Sequence, residues 1–280
     1  MRLGGSVMLP YDSPQQWLQH VKELGYSAII FPVDSSAPRQ LWRDYAACCR
    51  DNDLVIGEVG VWRNCMDPDP GKREENILYA IRQLELAEEV GARCCVNISG
   101  ALSKLWDGYH PEQGTQRYRD EVTAVTQRII DAVQPTRTFF SLEPMPWMPP
   151  ETPEEYLALM QQVDRPAFAV HLDYANMICS LPLYRGAEGF IRRCFELLGP
   201  HIRSVHAKDL MLDDRKMPVC ILETPPGEGT MPLPTVMALA ASHPDPDLPV
   251  FVEHLPDHES YMKAAQHMRR CAEIAGVEVK

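Results

Sequence analysis

The sequence predicts one α/β domain, a (β/α)8 TIM barrel spanning residues 1–280, from three observations. Short apolar, β-branched segments alternate with longer segments of helical spacing, and each kind occurs eight times. A length of 280 residues suits one such barrel, which typically takes about 250 residues. The rival fold, an open doubly wound sheet, normally carries a glycine-rich phosphate loop after its first strand, and Gly4-Gly5-Ser6 is too short and too early for that loop.

The eight predicted strands are short runs rich in valine, isoleucine and aromatic residues, as β-strands are. In chain order they cover residues 3–9, 27–31, 54–59, 94–98, 138–143, 168–173, 202–207 and 250–254.

Each predicted helix follows one of these strands and shows apolar residues three or four positions apart. In the third helix, for example, Ile77, Ile81, Leu84 and Ala87 share one face. Gly25 and Gly91 come directly after helical segments and before strands, as helix C-caps do. The predicted helices cover residues 13–24, 38–50, 76–87, 114–133, 152–162, 186–198, 232–242 and 260–275.

Composition excludes several classes of function. The net charge of −12 argues against a nucleic-acid partner and against an anionic lipid surface, since both need clustered lysine and arginine. No apolar run approaches the roughly 20 residues of a membrane span, and the first residues have no apolar targeting core. The nine cysteines, in a chain too large for a disulfide-stapled domain, predict reduced thiols and a cytoplasmic protein.

Four metal-ligand types stand at the ends of four successive predicted strands: Glu143, Asp173, His206 and Glu253. In a barrel these residues meet at one rim, where three carboxylates would repel one another unless a cation neutralised them. Three carboxylates and one imidazole suit Mn²⁺, Mg²⁺ or Co²⁺ better than a thiol-binding metal. A single acid at a strand end commonly caps the next helix instead, but four such positions predict one divalent metal site.

These residues lie in motifs that resemble the sugar phosphate isomerase/epimerase family, whose members have a xylose isomerase-like TIM barrel. The resemblance spans nearly the whole chain and depends on the order of the motifs, which are Leu142-Glu143-Pro144, Leu172-Asp173-x-x-Asn176, Val205-His206-Ala207-Lys208-Asp209, Pro226-Gly227-Glu228-Gly229 and Val252-Glu253. It implies one bound ion of the Mn²⁺ type and, as in the epimerases, Glu143 and Glu253 as the acid–base pair.

The predicted reaction is isomerisation or epimerisation of a sugar, keto-sugar or cyclitol derivative through a metal-stabilised enediolate. A lyase on the same scaffold is the main alternative: an inosose-type dehydratase, or cleavage of an oxidised or C-linked glycoside. An endonuclease IV-type function is disfavoured, because it needs three metals and more histidines, and a non-enzymatic binding barrel leaves the four ligands unexplained. The expected partner is a small polyhydroxylated substrate, and proteins of this group commonly associate as dimers or tetramers.

Two departures from the epimerase pattern affect the substrate-binding predictions. Asn176 stands where ketose 3-epimerases usually have histidine, so it is predicted to orient a substrate hydroxyl rather than to exchange protons. The loop after Glu143 lacks their polar residues and carries Trp147, which either stacks on an apolar sugar face or an aglycone, or plugs the barrel as a lid. No strong phosphate site is present, so the family name does not imply a phosphorylated substrate.

The remaining candidates come from other strand ends and from the loops that follow them. Lys208 either faces the site, where it holds an anionic group or the enediolate oxygen, or pairs with Asp209. Glu58 and Asn97 are predicted to contact substrate hydroxyls, and His110, with Trp62 and Trp106, to close the pocket. His171 is predicted to be a buried core residue, and Arg215 to lie on the surface.

Overall fold

The computed structural model describes residues 1–280 and shows eight parallel strands closed into a barrel. Seven of them come in succession and the eighth follows a small hairpin. The barrel strands are β1 (Arg2–Gly5), β2 (Ala28–Ile30), β3 (Val55–Gly60), β4 (Cys94–Asn97), β5 (Phe139–Leu142), β6 (Phe168–Asp173), β7 (Ile202–His206) and β10 (Pro249–Val252). Around the barrel each strand pairs with its neighbour in sequence, and β10 closes the ring between β7 and β1.

Helices surround the barrel and cover the outer faces of its strands. They are α1 (Pro14–Glu23), α2 (Arg39–Asp51), α3 (Pro70–Val90), α4 (Gln116–Val133), α5 (Pro153–Val163), α6 (Tyr174–Met177), α7 (Leu181–Arg185), α8 (Ala187–Leu198), α9 (Leu233–Ala241) and α10 (His258–Ala275), with 3₁₀ turns at Pro111–Gly114 and Gly199–His201. None of them combines the length and the hydropathy that a bilayer-crossing segment needs.

The interior of the barrel is filled by side chains, and the fully buried ring of Phe251 lies against two glycines. A Cβ atom on Gly4 would lie 2.4 Å from its ring, and one on Gly57 would lie 2.5 Å from it. Glycine is therefore required in β1 and in β3 because the ring occupies the space that a side chain would need. His206 lies above this ring, edge-on at a centroid distance of 6.4 Å.

The predicted fold is confirmed: all eight strands exist, in the predicted order and topology. Four details differ. β1 ends at Gly5 rather than at residue 9, and α3 begins at Pro70, where Asp69 caps it by accepting from the amides of Gly71 and Lys72. The short helices α6 and α7 and the antiparallel hairpin of β8 (Asp209–Leu212) and β9 (Ile221–Thr224) were not predicted. All nine cysteines are free thiols.

Candidate metal centre and pocket

The four predicted ligands converge at the carboxyl ends of neighbouring strands. Asp173 and His206 are the last residues of β6 and β7, while Glu143 and Glu253 each come one residue after β5 and β10. One ligand-type atom from each of the four residues lies within 4.8 Å of the others. Parallel strands that end at one rim bring residues far apart in sequence together, so the strand ends alone account for this cluster.

The His206 ring is the centre of the cluster. Its Nδ1 lies 2.9 Å from Glu253 Oε1, 3.4 Å from Glu143 Oε1 and 3.8 Å from Asp173 Oδ2. Glu143, Asp173 and His206 are buried, and Glu253 is nearly so. Three carboxylates whose oxygens lie within 4.8 Å of one another in a buried site are costly without positive charge among them.

Asp173 serves two purposes with its two oxygens. Its Oδ1 accepts hydrogen bonds from the backbone amides of Ala175 at 3.0 Å and Asn176 at 3.1 Å, which begins helix α6. Its Oδ2 is buried, points into the cluster and accepts no hydrogen bond of proper geometry. Helix capping, the alternative to a metal ligand, is therefore present and leaves the second oxygen available.

Lys208 brings an ammonium group into the same cluster. Its Nζ lies 2.6 Å from Glu253 Oε1, 2.7 Å from Asp173 Oδ2 and 3.7 Å from Glu143 Oε1. Burial by itself lowers the pKa of Lys208, but Asp173 and Glu253 outweigh it and hold the pKa well above its ordinary value. The lysine is thus charged and balances part of the acidic cluster.

Asp209 is not the partner of Lys208. Its carboxylate accepts hydrogen bonds from the backbone amides of Gly227, Gly229 and Met231. These bonds anchor the glycine-containing loop that follows the hairpin, because they satisfy backbone donors that would otherwise be buried without acceptors.

The residues present fit a divalent cation. Asp173 Oδ2, Glu253 Oε1 and His206 Nδ1 are all buried, face one another and lack a hydrogen bond of proper geometry. The only cationic side chain beside the two carboxylate oxygens is Lys208, whose Nζ lies 2.7 Å from Asp173 Oδ2 and 2.6 Å from Glu253 Oε1. One lysine ammonium does not balance three carboxylates. An oxygen-rich set with one imidazole nitrogen matches the preferences of Mn²⁺, Mg²⁺ and Co²⁺.

Glu58 lies beneath the cluster and holds His206 from the other side. Its Oε2 is 3.4 Å from His206 Nε2, its Oε1 is 3.3 Å from His171 Nδ1, and the Ser204 hydroxyl donates to Oε1. Burial by itself raises the pKa of Glu58, but the two histidines outweigh it and hold the pKa well below the usual range. A carboxylate at Nε2 leaves Nδ1 as the ring nitrogen that faces the acids.

A cavity of about 530 Å³ opens above the cluster. Its floor is polar, with Glu143, His206, Lys208 and Glu253, and Asn176 borders it. The Asn176 amide donates to Glu143 Oε1 at 3.2 Å and to the Pro144 carbonyl at 3.1 Å. The upper walls are largely apolar or aromatic and include Met8, Trp62, Trp106, Leu255 and Tyr261.

Three residues predicted to bind substrate lie elsewhere. The Asn97 amide bonds to both backbone groups of Arg63, at 3.1 and 3.0 Å, so it holds the loop after β3. His110 accepts from the Glu112 amide at a 3₁₀ turn. The Trp147 indole donates to the Asp107 carbonyl at 2.7 Å and does not line the cavity.

Glu223 and His254 are among the cavity residues that were not predicted, and the hairpin brings the two into contact. Glu223 of β9 lies 3.6 Å from Lys208 Nζ and accepts from His254 Nδ1 at 3.0 Å. His254 follows Glu253 directly and lies with Glu223 at the cavity wall. The alternating segment Ile221–Thr224 was the available signal, since a strand of this pattern outside the barrel repeat indicates a hairpin. Arg215 lies on the hairpin loop, exposed, with its side chain 2.8 Å from Asp213.

A sequence model of the xylose isomerase-like TIM barrel family matches residues 18–271. The chain belongs to this family. The resemblance inferred from the motifs is thereby confirmed, and membership supports the prediction of an enzyme. No curated protein matched the chain in a sequence comparison.

Solved structures of xylose isomerase-like barrels share the fold of the chain. A xylose isomerase-like protein from Mycobacterium smegmatis in complex with magnesium is 18% identical, with a TM-score of 0.67, over 93% of this chain and 87% of that one. D-psicose 3-epimerase from Clostridium cellulolyticum is 16% identical, with a TM-score of 0.67, over 99% and 100%. A probable 3-DHS dehydratase from Bacillus anthracis is 16% identical, with a TM-score of 0.70, over 96% and 98%.

Proposed function

We propose that the chain is a divalent-metal-dependent isomerase or epimerase of a sugar, keto-sugar or cyclitol derivative. The observation that carries this proposal is the convergence of Glu143, Asp173, His206 and Glu253 at the floor of the cavity. Three carboxylates gathered around one lysine and one imidazole in a buried site cost stability, and a non-enzymatic barrel gives no reason for them. The D-psicose 3-epimerase and the L-ribulose 3-epimerase among the structural neighbours fit the same proposal.

Glu143, Asp173, His206 and Glu253 would hold the ion, with Mn²⁺ the preferred candidate and Mg²⁺ or Co²⁺ the alternatives. When bound, such an ion supplies positive charge that makes the C–H next to a substrate carbonyl more acidic. The magnesium complex of the Mycobacterium smegmatis neighbour agrees with a hard divalent ion.

Glu143 and Glu253 are the proposed acid and base. They stand at the two ends of the arc of strands β5, β6, β7 and β10, with Asp173 and His206 between them. Carboxylates at opposite ends of this arc reach a bound carbon from two sides. One removes a proton, and the other returns a proton to the opposite face, which inverts that carbon, or to the neighbouring carbon, which isomerises the substrate.

Elimination is the second candidate, and Lys208 favours it. Its charged ammonium lies at the cavity floor within 2.6 Å of Glu253, where it can hydrogen-bond to the oxygen of a departing β-hydroxyl and stabilise the charge that develops there. The substrate classes would be an inosose, for dehydration, or an oxidised or C-linked glycoside. The dehydratase among the neighbours has the same fold.

Proton exchange in heavy water distinguishes the candidates. The Mn²⁺-loaded protein is incubated with a panel of keto-sugars, inososes and oxidised glycosides and followed by NMR. Deuterium incorporation without loss of water or aglycone supports the isomerase or epimerase, while net elimination supports the lyase. Glu143→Gln and Glu253→Gln should each reduce turnover at least about 100-fold, as loss of a general acid or base does. Full activity in both variants would contradict the acid–base assignment.

The predicted dimer or tetramer stays a prediction, as does the expected lack of nucleic-acid and membrane partners. Light scattering coupled to size exclusion measures the first directly, since a monomer has a mass of 31.7 kDa.

A further inference from the structure

Five residues other than glycine adopt a positive φ, and three of them have a local explanation. Gln134 and Asp164 end helices α4 and α5 in the left-handed conformation common at helix C-caps, and Asp53 follows α2 in the same way. The other two, Trp62 with φ 49° and His254 with φ 55°, end no helix. Both line the cavity above the acidic cluster.

The left-handed conformation at Trp62 is held by buried side chains. Asn97 bonds to both the amide and the carbonyl of Arg63, directly after Trp62. Gln83 donates to the Gly60 carbonyl at 2.7 Å, two residues before it. Asn97 and Gln83 are 1% and 2% exposed, so the turn is braced on both sides from within the core.

Gly60 makes room for the indole. A Cβ atom there would lie 2.1 Å from Trp62 Nε1, closer than any side chain can approach. The indole therefore packs against the end of β3 while the residue stays 37% exposed and borders the cavity. A bulky residue in a left-handed backbone conformation is rare, and such strain concentrates at ligand sites.

We infer that Trp62 is a substrate-binding residue that stacks on the apolar face of a ring-closed polyhydroxylated ketone. This inference rests on the proposed function and narrows its substrate class. A ring-closed sugar or cyclitol presents a flat face of C–H groups that an indole can cover, with its hydroxyls directed to the sides. An open-chain ketose has no such face. The substrate oxygens would hydrogen-bond to the polar groups at the cavity floor and to Glu223 and His254 at the cavity wall. Trp62 would contact the apolar face of the substrate ring.

Binding measurements test the inference without depending on turnover. The Kd values of two ring-closed ketones, scyllo-inosose and methyl 3-keto-α-D-glucopyranoside, and of one acyclic ketose, L-erythrulose, are measured by calorimetry on the Mn²⁺-loaded protein. Trp62→Ala should raise the Kd of the ring-closed ligand that binds best roughly tenfold and leave that of L-erythrulose within about twofold. Trp62→Phe, which keeps an aromatic face, should recover part of the loss.

Tyr109→Ala is the matched control, because Tyr109 is an exposed aromatic residue outside the cavity, and it should change no Kd. Thermal melting of each variant establishes that it is folded. An unchanged Kd for ring-closed ligands in folded Trp62→Ala, or an equal loss for both ligand types, overturns the inference and leaves the proposed function standing. If no ketone binds to the wild-type protein, the proposed function fails and the inference fails with it.

Discussion

At the scale of single residues, the main feature of the candidate centre is the buried negative charge that its cationic groups must compensate. Three carboxylates, an imidazole and an ammonium share a site with little access to water, and a fourth carboxylate, that of buried Glu58, contacts the imidazole from below. Among the buried polar atoms there, Asp173 Oδ2, Glu253 Oε1 and His206 Nδ1 make no hydrogen bond of proper geometry and face one another. Single substitutions can distinguish the expected roles of Glu58 and Lys208 at this centre.

Glu58 is expected to set the metal affinity through His206. Its contact with Nε2 orients the ring and makes Nδ1 the free nitrogen, as carboxylates behind metal-binding histidines do. Glu58→Gln should weaken Mn²⁺ binding about 10–100-fold, measured by calorimetry or by the EPR signal of free Mn²⁺. Glu74→Gln, which removes an exposed partner of Arg128, is the control. Equal Mn²⁺ affinity in both variants would show that Glu58 does not position the ligand.

Lys208 is expected to stabilise the metal-free protein by compensating the acids. Lys208→Gln leaves buried carboxylates without their cation and should lower the free energy of unfolding of the metal-free protein by about 3–5 kcal/mol. Because Mn²⁺ supplies the missing charge, adding it should raise the Tm of this variant more than that of the wild type. The same rise in both proteins would mean that the lysine does not share the charge of the ion.

At the scale of elements, short polar contacts position the strands whose ends carry the site. Strand β5, which precedes Glu143, is held at its beginning by Glu88 of α3. The Glu88 carboxylate accepts from Thr136 Oγ1 at 2.8 Å and from the amides of Arg137 and Thr138 at 3.0 and 3.1 Å. Burial by itself raises the pKa of Glu88, but these hydrogen bonds outweigh it and lower the pKa to about 2.

This shift predicts a pH dependence of stability. A carboxylate whose pKa is lowered on folding stabilises the protein fully above its ordinary value of 4.5, and the stabilisation is lost as the pH falls toward about 2. Glu88→Gln should therefore lower the denaturation midpoint at pH 7, and its difference from the wild type should shrink between pH 5 and pH 3. Glu85→Gln, at an exposed position of the same helix, should show no such trend. A difference independent of pH would contradict the assignment.

At the scale of the whole molecule, we expect metal binding and folding to be coupled. The four ligands come from β5, β6, β7 and β10, residues 143 to 253 of the chain, and meet only when the barrel closes. The unfolded chain has no such site, so an ion that binds the folded protein stabilises it.

Mn²⁺ should accordingly raise the Tm, and a chelator should return it to the metal-free value. At a free ion concentration about 100 times the Kd, the expected gain is about 2.7 kcal/mol. Asp173→Asn should remove most of this gain, because the buried Oδ2 is among the expected ligands. A gain that persists in this variant would place the ion somewhere else.

Much of the site could be predicted because the end of each strand is visible in the local sequence pattern. Alternation of strand and helix patterns along 280 residues predicts the barrel, and a parallel barrel brings its strand ends to one rim. This rule alone was enough to predict the convergence of Glu143, Asp173, His206 and Glu253. The resemblance to the xylose isomerase-like family, and a cluster of residues that could hold a metal, follow from the same order of residues.

Tertiary structure alone decided where the other polar groups lie. Asn97 ends a strand as the ligands do, yet it braces the loop of Trp62, and Glu58 reaches beneath His206 from the far side of the barrel. Glu223 enters the cavity only because a hairpin folds back over it. The periodicity of the sequence specifies the order of strands and helices and the end of each strand. The direction of a side chain is set by packing against residues distant in sequence, and a local sequence pattern carries no information about those residues.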